Sequence, residues 1–458
     1  MGNVRGSEIN RIQSNFVTRN YKYATLVVLI FILLSCEGRE LTNGGNDNGI
    51  TTQFNLSVTS DELEVTLDWD LIVDDNLDLY NIYRSENEGE FTLYDAVNLA
   101  ITTFSDTVVT ADVIYEYRLT ALFDGSRESD PSEIVRIIPG FTNLWILDFQ
   151  GDLLSELTHD AAHFTGRFFD NLTMPLALDI DERNGDIYYI DGQQNTLNLV
   201  FEGFDPLVLN IQSDNDTSAQ IFSDPTDVDF DMLRDQIWMT NGNTGEVFHF
   251  EMINSTEWVL ADLLNTGGNA ISGQLDMTRG DYWVVNSQGK SIEIFQKRIG
   301  DIVQVSVTGF ASGSLSVALD ADRARAYVID ISNGDIFLVN AIGESAPTQL
   351  TSINNAFLGA VVPSTGNVWL LVDEDENDIW DLVKLSVAGN PIIEIKNLFS
   401  EPTWIGVNPI NMNVTVLNTD PNEDKIYVIS NSTGEIISTF KSLIFPGIAR
   451  FVDRRNRI

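Results

Sequence analysis

The chain has 458 residues, of which 43% are hydrophobic, so it is long enough to form two or three globular domains. It carries 68 Asp and Glu residues against 26 Lys and Arg residues, which gives a formal net charge of -42. Because binding to phosphates needs clustered Lys and Arg, this charge argues against a nucleic-acid partner, while an acidic surface could attract divalent cations.

The only cysteine, Cys36, follows an uncharged apolar run, Ala24–Leu34. That run is too short for a membrane-spanning helix, which needs about 20 apolar residues, and its basic flank is typical of a signal peptide over residues 1–35. Residues 33–36 (LLSC) resemble the lipobox of bacterial lipoproteins. The resemblance implies cleavage before Cys36, lipidation of its thiol and anchoring in the outer membrane, on its periplasmic or surface-exposed side. The alternative is an uncut signal anchor with an incidental cysteine.

Residues 36–50 are rich in Gly and Asn and contain few apolar side chains. A segment of this composition cannot bury a core. We therefore predict a flexible tether that begins at the lipidated Cys36 and spans about 20 Å on average.

Short strands of alternating polarity follow over residues 51–137, as in Leu63, Val65, Leu67 and Trp69. This segment resembles a fibronectin type III domain. The residues that carry the resemblance are Trp69 as the core Trp of the second strand, Tyr115 and Tyr117 in a Tyr-x-Tyr strand, and residues 129–132 (SDPS) before the last strand. The resemblance implies a β-sandwich that acts as a spacer or a docking surface.

Beyond Pro139, an apolar strand that ends in Asp or Asn recurs seven times at intervals of 43 to 50 residues. The last residues of these strands are Asp148, Asp191, Asn241, Asn286, Asp330, Asp373 and Asn418. A second strand follows each of them, and an apolar strand precedes every copy except the first. Repeats of about 45 residues are typical of four-stranded propeller blades.

Residues 448–453 (IARFVD) have the pattern of a leading strand, but no partner strand comes after them. We therefore expect the last strand to join the first ones in a shared blade that closes the ring. The predicted chain is all-β: a fibronectin type III β-sandwich, then a β-propeller over residues 140–458, with seven blades favoured over six. The repeats resemble the YVTN and NHL propeller families, and residues 426–440 are the stretch most similar to the YVTN pattern.

Most polar residues of the repeats are predicted to be structural. The Asp or Asn at the end of each recurring strand is expected to cap its own turn, and the aromatic residues before it are expected to pack the blades. His159 and His163 have a helical ligand spacing, but no Glu base accompanies them, so we do not predict a zinc site. Residues 373–378 (DEDEND) and 418–424 (NTDPNED) place oxygen ligands at alternate positions, which leaves open either calcium binding or simple solubility.

Ligands of propellers bind over the central channel, on the loops that lead into the innermost strands. In this sequence, those loops contain Asp224, Asn355 and Glu401, with Trp404 close behind. We predict these four residues as ligand-binding on geometric grounds alone.

Two classes of function remain open. The first is a membrane-anchored binding or scaffold protein of the cell envelope, whose propeller binds a protein or a glycan. It is favoured because no Gly-x-Ser-x-Gly nucleophile motif is present, and we assign no catalytic residue. The alternative is a calcium-dependent lactonase or hydrolase, by analogy with gluconolactonase-like propellers. Calcium is the only cofactor that this sequence suggests.

Overall fold

The computed structural model describes residues 54–149, 153–170, 172, 174–201, 205–212, 222–297, 301–341, 346–374, 376 and 378–456. All the described residues belong to one compact unit, Ile50–Ile458. The predicted signal peptide, the tether and Cys36 lie outside the described residues. Within the described ranges, no helix combines the length and the apolar character needed to cross a membrane.

Eight strands precede the repeats: β1 (Ser57–Asp61), β2 (Glu64–Asp68), β3 (Leu77–Glu86), β4 (Thr92–Asn98), β5 (Thr103–Asp106), β6 (Tyr115–Phe123), β7 (Arg127–Glu128) and β8 (Val135–Ile137). They form two antiparallel sheets, one in the order β1-β2-β5 and the other in the order β4-β3-β6-β7, with β8 also paired to β6. We call these two sheets the N-terminal module.

Both sheets contribute to one apolar core. Val65 and Leu67 of β2 are fully buried, as is Tyr117 of β6. Trp69 is also buried, but it follows β2 and does not lie within it, which corrects its predicted place in the second strand. The backbone N–H of Trp69 donates to the carbonyl of Thr102 at 3.0 Å.

The remaining strands build the repeats. They are β9 (Thr142–Asp148), β10 (Leu153–Leu157), β11 (Phe164–Phe169), β12 (Pro175–Asp181), β13 (Asp186–Asp191), β14 (Thr196–Val200), β15 (Leu207–Val208), β16 (Asn210–Gln212), β17 (Pro225–Asp231), β18 (Gln236–Asn241), β19 (Glu246–Asn254), β20 (Glu257–Asn265), β21 (Ala270–Asp276), β22 (Asp281–Asn286), β23 (Ser291–Lys297), β24 (Ile302–Thr308), β25 (Leu315–Asp320), β26 (Arg325–Asp330), β27 (Asp335–Asn340), β28 (Thr348–Ser352), β29 (Ala356–Val361), β30 (Val368–Val372), β31 (Trp380–Leu385), β32 (Pro391–Phe399), β33 (Pro402–Val407), β34 (Val414–Asn418), β35 (Ile426–Ile429), β36 (Ile436–Phe440) and β37 (Pro446–Asp453). Two short 3-10 helices, Ala321–Arg323 and Arg454–Asn456, complete the regular structure of the described residues.

Among the described residues these strands form seven sheets, which we number as blades. Blade 1 has the order β37-β9-β10-β11, and blades 2, 4, 5, 6 and 7 are the consecutive quartets that begin with β12, β21, β25, β29 and β33. Blade 3 runs from β17 to β20 and gains β16 as a fifth strand, parallel to β20. The innermost strands contact one another in blade order, and β37 contacts β12, so the seven sheets form a closed ring. The all-β propeller fold is thus confirmed.

The predicted ring closure is also confirmed. β37 pairs antiparallel with β9, from Pro446 opposite Asp148 to Asp453 opposite Thr142. The last strand of the chain is therefore the innermost strand of the blade that the first repeat begins.

A β-bulge recurs near the start of the innermost strands. It interrupts the register of β12, β17, β21, β29, β33 and β37 with their neighbours, and only the register of β25 is unbroken. Four of these strands begin with proline: Pro175, Pro225, Pro402 and Pro446. Proline at the first residue of an edge strand removes no ladder hydrogen bond, so these residues suit the channel side of a blade.

A repeated Asp–Arg turn joins neighbouring blades at the other end of the innermost strands. The buried Asp that ends the strand binds an Arg three residues later, in the pairs Asp231–Arg234, Asp276–Arg279 and Asp320–Arg323. Each Arg also donates to backbone carbonyls of the next blade, for example Arg323 to the carbonyl of Pro363 at 2.9 Å. These turns link neighbouring blades through polar contacts.

The N-terminal module is bonded to the propeller within the same compact unit. The N–H of Ile138 donates to Asp160 of blade 1 at 2.8 Å, and Arg136 donates to the carbonyl of Ile437 in blade 7 at 3.0 Å. Nearby, the buried His159 lies 2.9 Å from Asp112 of the module. The module is therefore held against blades 1 and 7 by polar contacts.

Candidate functional site

The innermost strands present one residue each at the same level of the central channel. Six of these residues lie opposite an aromatic residue of the second strand, and the seventh lies opposite a threonine: Arg450 opposite Trp145, Asp179 opposite Tyr188, Asp229 opposite Trp238, Gln274 opposite Trp283, Ala318 opposite Tyr327, Ala360 opposite Trp369, and Gly406 opposite Thr415. Blades 1 to 4 thus contribute charged or amide side chains, and together with Asp227, which lies two residues before Asp229 in β17, we call them the polar arc. Blades 5 to 7 contribute only small residues.

Part of the polar arc binds the exposed edges of the innermost strands. Asp179 accepts a hydrogen bond from the N–H of Phe230 at 2.7 Å, and Asp227 accepts one from the N–H of Gly273 at 3.1 Å. Gln274 likewise donates to the carbonyl of Val317 at 2.8 Å. Backbone groups at a sheet edge need such partners when water is scarce, so these side chains have a structural role in linking blades.

Asp229 and Tyr282 are not used in this way. Asp229 is 9% exposed and Tyr282 is fully buried, and their side chains hydrogen-bond each other. Gly273 makes room for the phenol, because a Cβ atom there would overlap the Tyr282 hydroxyl. Buried polar atoms usually have a partner, and here the carboxyl group and the phenol supply one for each other.

The charges of the arc perturb one another strongly. Burial raises the pKa of Asp179 and of Asp227, and it raises the pKa of Asp229 well above the usual value, with the charges of Asp227 and Asp179 adding to the effect. Arg450 opposes these shifts, since its Nε lies 3.5 Å from Asp179. Three carboxyl groups thus share one guanidinium group, which leaves them short of positive charge.

Channel water reaches this cluster. The side chains of Arg450 and Asp179 remain 30% and 18% exposed. Clusters of perturbed carboxyl groups that solvent can reach are candidate functional sites, although structural networks also perturb pKa values.

The four residues predicted from the sequence lie at or near the starts of innermost strands, as expected, but on three different blades. Asp224 precedes β17 of blade 3, Asn355 precedes β29 of blade 6, and Glu401 and Trp404 belong to blade 7. Their assignment to a ligand remains a prediction.

The first three of these residues take part in loop hydrogen bonds. The N–H of Asp224 donates to the side chain of Asn241 at 2.7 Å, and the N–H of Glu401 donates to that of Asn418 at 2.9 Å. Asn355 donates to the carbonyl of Asp373 at 3.1 Å.

Trp404 is placed differently. It lies in β33, two residues before Gly406, and a Cβ atom at Gly406 would overlap its ring. Its indole therefore covers the small residue that blade 7 contributes to the channel layer. Of the predicted residues, Trp404 is the one that the structure places next to that layer.

The residues predicted to be structural are buried, but the prediction that each Asp or Asn caps its own turn is confirmed for only some of them. All seven Asp and Asn residues that end the recurring strands are buried. Asp191 caps its own turn by accepting hydrogen bonds from Gln193 and Gln194, both at 2.8 Å, and Asp148 accepts one from Ile444 at 2.7 Å in the preceding loop. The aromatic residues of the second strands are buried between blades.

No group of three His, Cys, Asp or Glu side chains in the described ranges is arranged to hold a metal ion. In the second acidic loop, Asp420 caps a turn by accepting from the N–H of Asn422 at 2.8 Å. In the first acidic loop, residues 375 and 377 lie outside the described residues. His159 and His163 bind separate partners, and they lie within blade 1, between β10 and β11.

Sequence reasoning missed the polar arc. A signal was present: Asp179 and Asp181 in β12, and Asp227, Asp229 and Asp231 in β17, alternate with apolar residues in strands that otherwise read as core. Charged residues on a strand surrounded by other blades need a specific explanation.

No family model matches the chain. Two curated proteins match part of it: an amylopullulanase from Thermoanaerobacterium thermosulfurigenes, 32% identical over 115 residues, and one from Thermoanaerobacterium saccharolyticum, 30% identical over 143 residues. These matches cover 25% and 31% of this chain but only 6% and 10% of the amylopullulanases. The chain therefore spans a tenth or less of the length of these relatives.

Several solved structures are similar over most of the repeats. A functionally unknown protein from Desulfotomaculum acetoxidans has a TM-score of 0.51 at 11% identity, over 68% of this chain and 98% of its own. Proposed 6-phosphogluconolactonases from Bacteroides uniformis and Bacteroides fragilis have TM-scores of 0.50 and 0.51 at 12% identity, over 68% of this chain and 99% and 98% of theirs. At such identities the likeness shows the fold alone, and that fold is a β-propeller.

Proposed function

We propose that this chain is a binding protein of the cell envelope whose propeller holds a ligand in its central channel. One observation carries the proposal: at a single level of the channel, the polar arc faces three small residues, Ala318, Ala360 and Gly406. A ligand there would find hydrogen-bonding groups on one side and small apolar residues on the other. Trp404 next to this layer would supply an apolar surface for a sugar ring or an aromatic group.

The remaining parts of the proposal concern how the propeller is presented. The two facing sheets of the N-terminal module support a fibronectin type III domain that acts as a spacer. The apolar run before Cys36 supports a lipid anchor in the outer membrane. Together they would hold the propeller at a membrane surface, with an envelope protein or a glycan as its partner.

The binding role is tested with residues 51–458 produced without the anchor. We expect the immobilised protein to capture an envelope protein, or to bind a class of glycan on an array, and a Trp404→Ala variant to lose about tenfold in affinity. A matched variant is Trp380→Ala, in β31 of blade 6, which should bind as the unmodified protein does. Capture no greater than background in both assays contradicts the binding role.

The anchor is tested separately in cells. Replacement of Cys36 by Ala removes the only thiol, so the protein should leave the membrane fraction and lose its lipid mass. Retention of a Cys36→Ala variant in the membrane fraction would support the uncut signal anchor instead.

A lactonase or hydrolase is the second candidate. The observation that favours it is the raised pKa of Asp229 beside two further carboxyl groups, since a raised pKa is the property that a carboxyl group needs to act as a general acid. Turnover of gluconolactone that is abolished by Asp229→Asn would support it, and turnover lost on chelation would add the calcium dependence. Unchanged turnover in Asp229→Asn and Glu401→Ala would exclude it.

A further inference from the structure

The outermost strands of the blades differ in how their free edges are protected against pairing. β15 of blade 2 has only two residues, and β16 covers the edge of β20 in blade 3. β11, β28 and β36 of blades 1, 5 and 7 have register shifts, and β32 of blade 6 adds Pro391, Glu394 and Lys396 to its own shifts. Short length, bulges, proline and charged side chains are the means by which proteins keep sheet edges from pairing.

β24, the outermost strand of blade 4, has none of these protections. Its seven residues, Ile302–Thr308, are uncharged, include no proline and pair with β23 without a register shift. Five of the seven are β-branched, and such side chains favour extended backbone. Val303 is 47% exposed, and β24 has no second neighbour among the described strands. The free edge of β24 can therefore accept a further strand.

The distribution of charge indicates which partner this edge accepts. Residues 270–308 of blade 4 include four acidic and four basic residues, and the exposed Asp301 before β24 is one of the acidic ones. Each of the other six blades has at least three more acidic than basic residues; blade 3, for example, has eight acidic residues and one basic residue over residues 225–265. Two copies of a chain whose net charge is -42 would repel each other at most surfaces, but two neutral blades can approach.

The sequence of β24 is also compatible with pairing to itself. When two antiparallel copies are centred on Val305, Val303 of one copy lies opposite Val307 of the other, and Gln304 lies opposite Ser306. No like charges meet in this register, and pairs of β-branched side chains on neighbouring strands stabilise a sheet.

The N-terminal module leaves this edge free. It is bonded to blade 1 through Ile138 and to blade 7 through Arg136. In the closed ring of seven blades, blade 4 lies three blades away from each of them, on the opposite side of the propeller. Two copies can therefore meet at β24 with both modules outside the contact.

We propose that the chain forms a symmetric dimer in which the β24 strands of two copies pair antiparallel. The pairing joins the two four-stranded sheets of blade 4 into one continuous sheet across a two-fold axis. The partner at this surface is thus a second copy of the chain. The inference does not depend on what the channel binds, because the channel is lined by the innermost strands and β24 is an outermost one.

Sedimentation equilibrium of residues 51–458 tests the proposal at about 0.15 M salt, which screens the net charge beyond about 8 Å. We expect the mass to rise with concentration from that of one chain to that of two. Val305→Lys and Val305→Glu should each raise the dissociation constant of the dimer at least about tenfold, because like charges then face each other across the two-fold axis. An equimolar mixture of the two variants should form dimers again, since opposite charges then face each other.

A matched variant is Ile392→Lys, at a residue that is 51% exposed in β32 of blade 6, and it should leave self-association unchanged. Circular dichroism melting of each variant shows that it is folded.

Three results would overturn the proposal: the mass of one chain at every concentration up to about 100 µM, a dimer that neither Val305 variant weakens, or a mixture of the two variants that forms no dimers. A chain that stays monomeric, and whose Val305→Lys variant no longer captures an envelope protein, would assign the β24 edge to that protein and exclude self-association. The proposed binding function would survive the first three results, because capture is measured separately.

Discussion

Buried carboxylates of this chain fall into two groups whose pKa values shift in opposite directions. Burial raises the pKa of Asp229 in the channel. Burial acts in the same direction on Asp106 of the N-terminal module, but hydrogen bonds from Arg84, Tyr94 and Tyr117 lower its pKa overall. A buried aspartate thus destabilises the fold at Asp229 and stabilises it at Asp106.

Asp229→Asn is therefore expected to stabilise the folded protein. When the pKa of a carboxyl group is higher in the folded protein than in the unfolded chain, the folded protein becomes less stable as the pH rises from the lower of these two values to the higher one. The variant should gain about 1 kcal/mol or more at pH 7, and the gain should vanish near pH 4. Urea denaturation across this pH range measures the gain, with Asp301→Asn as the control; a loss of stability at pH 7 would contradict the prediction.

Asp106→Asn is expected to act in the opposite sense. Its carboxylate is fully buried against Arg84, which is 2.7 Å away, so the variant leaves a guanidinium group uncompensated and should lose about 3 kcal/mol at pH 7. Because the folded pKa is lowered, this stabilisation exists above the unfolded pKa and is lost as the pH falls through the folded pKa. In the same denaturation series, the free energies of unfolding of the variant and the unmodified protein should become more similar below pH 4. A difference in the free energy of unfolding that stays constant with pH would argue against an ionic cause.

At the scale of single elements, the positions of the strands could be predicted from the sequence, but the residues that lie in the channel layer could not. β6 begins at Tyr115, the first residue of the predicted Tyr-x-Tyr strand, and β12 and β17 follow the apolar pattern of the repeats. Which side chain of an innermost strand lies in the channel layer depends on the bulge near its start, as between Pro225 and Asp227. A bulge shifts the alternation by one residue, and nothing local in the sequence fixes its position.

The Asp–Arg turns give a prediction about links between blades. Arg279 binds Asp276 at 3.0 Å and donates to the carbonyl of Ala321 in the next blade. Arg279→Ala should therefore cost about 1–2 kcal/mol in urea denaturation, and Arg279→Lys should not restore it, because an ammonium group lacks the planar fork of the guanidinium group. Arg127→Ala removes an exposed pair with Asp124 and should have little effect. Equal effects of Arg279→Ala and Arg127→Ala would mean that the turns do not couple the blades.

At the scale of the whole molecule, stability depends on the closure between β37 and β9. A chain that lacks residues 446–458 would expose the edge of β9 and the core beneath Val452, which is fully buried. We expect it to lose cooperative thermal unfolding and to become sensitive to protease. Addition of a peptide of residues 446–456 should restore protection, and a truncated chain that melts like the full protein would contradict the closure.

The seven-fold repeat explains why this level of organisation was predictable: strand periodicity, copy number and the orphan strand at residues 448–453 are all encoded locally. The arrangement of the module against blades 1 and 7 was not predictable. It depends on single polar contacts such as Asp112 with His159, which belong to no repeat.

The position of β37 also has a consequence for synthesis. A ribosome makes the chain from the amino end, so six blades can form while blade 1 still lacks its innermost strand. The ring can close only after residues 446–453 have emerged, so the native state cannot form before synthesis has passed them. A chain that is released early keeps an open strand edge, and a quality-control protease can recognise it by that edge.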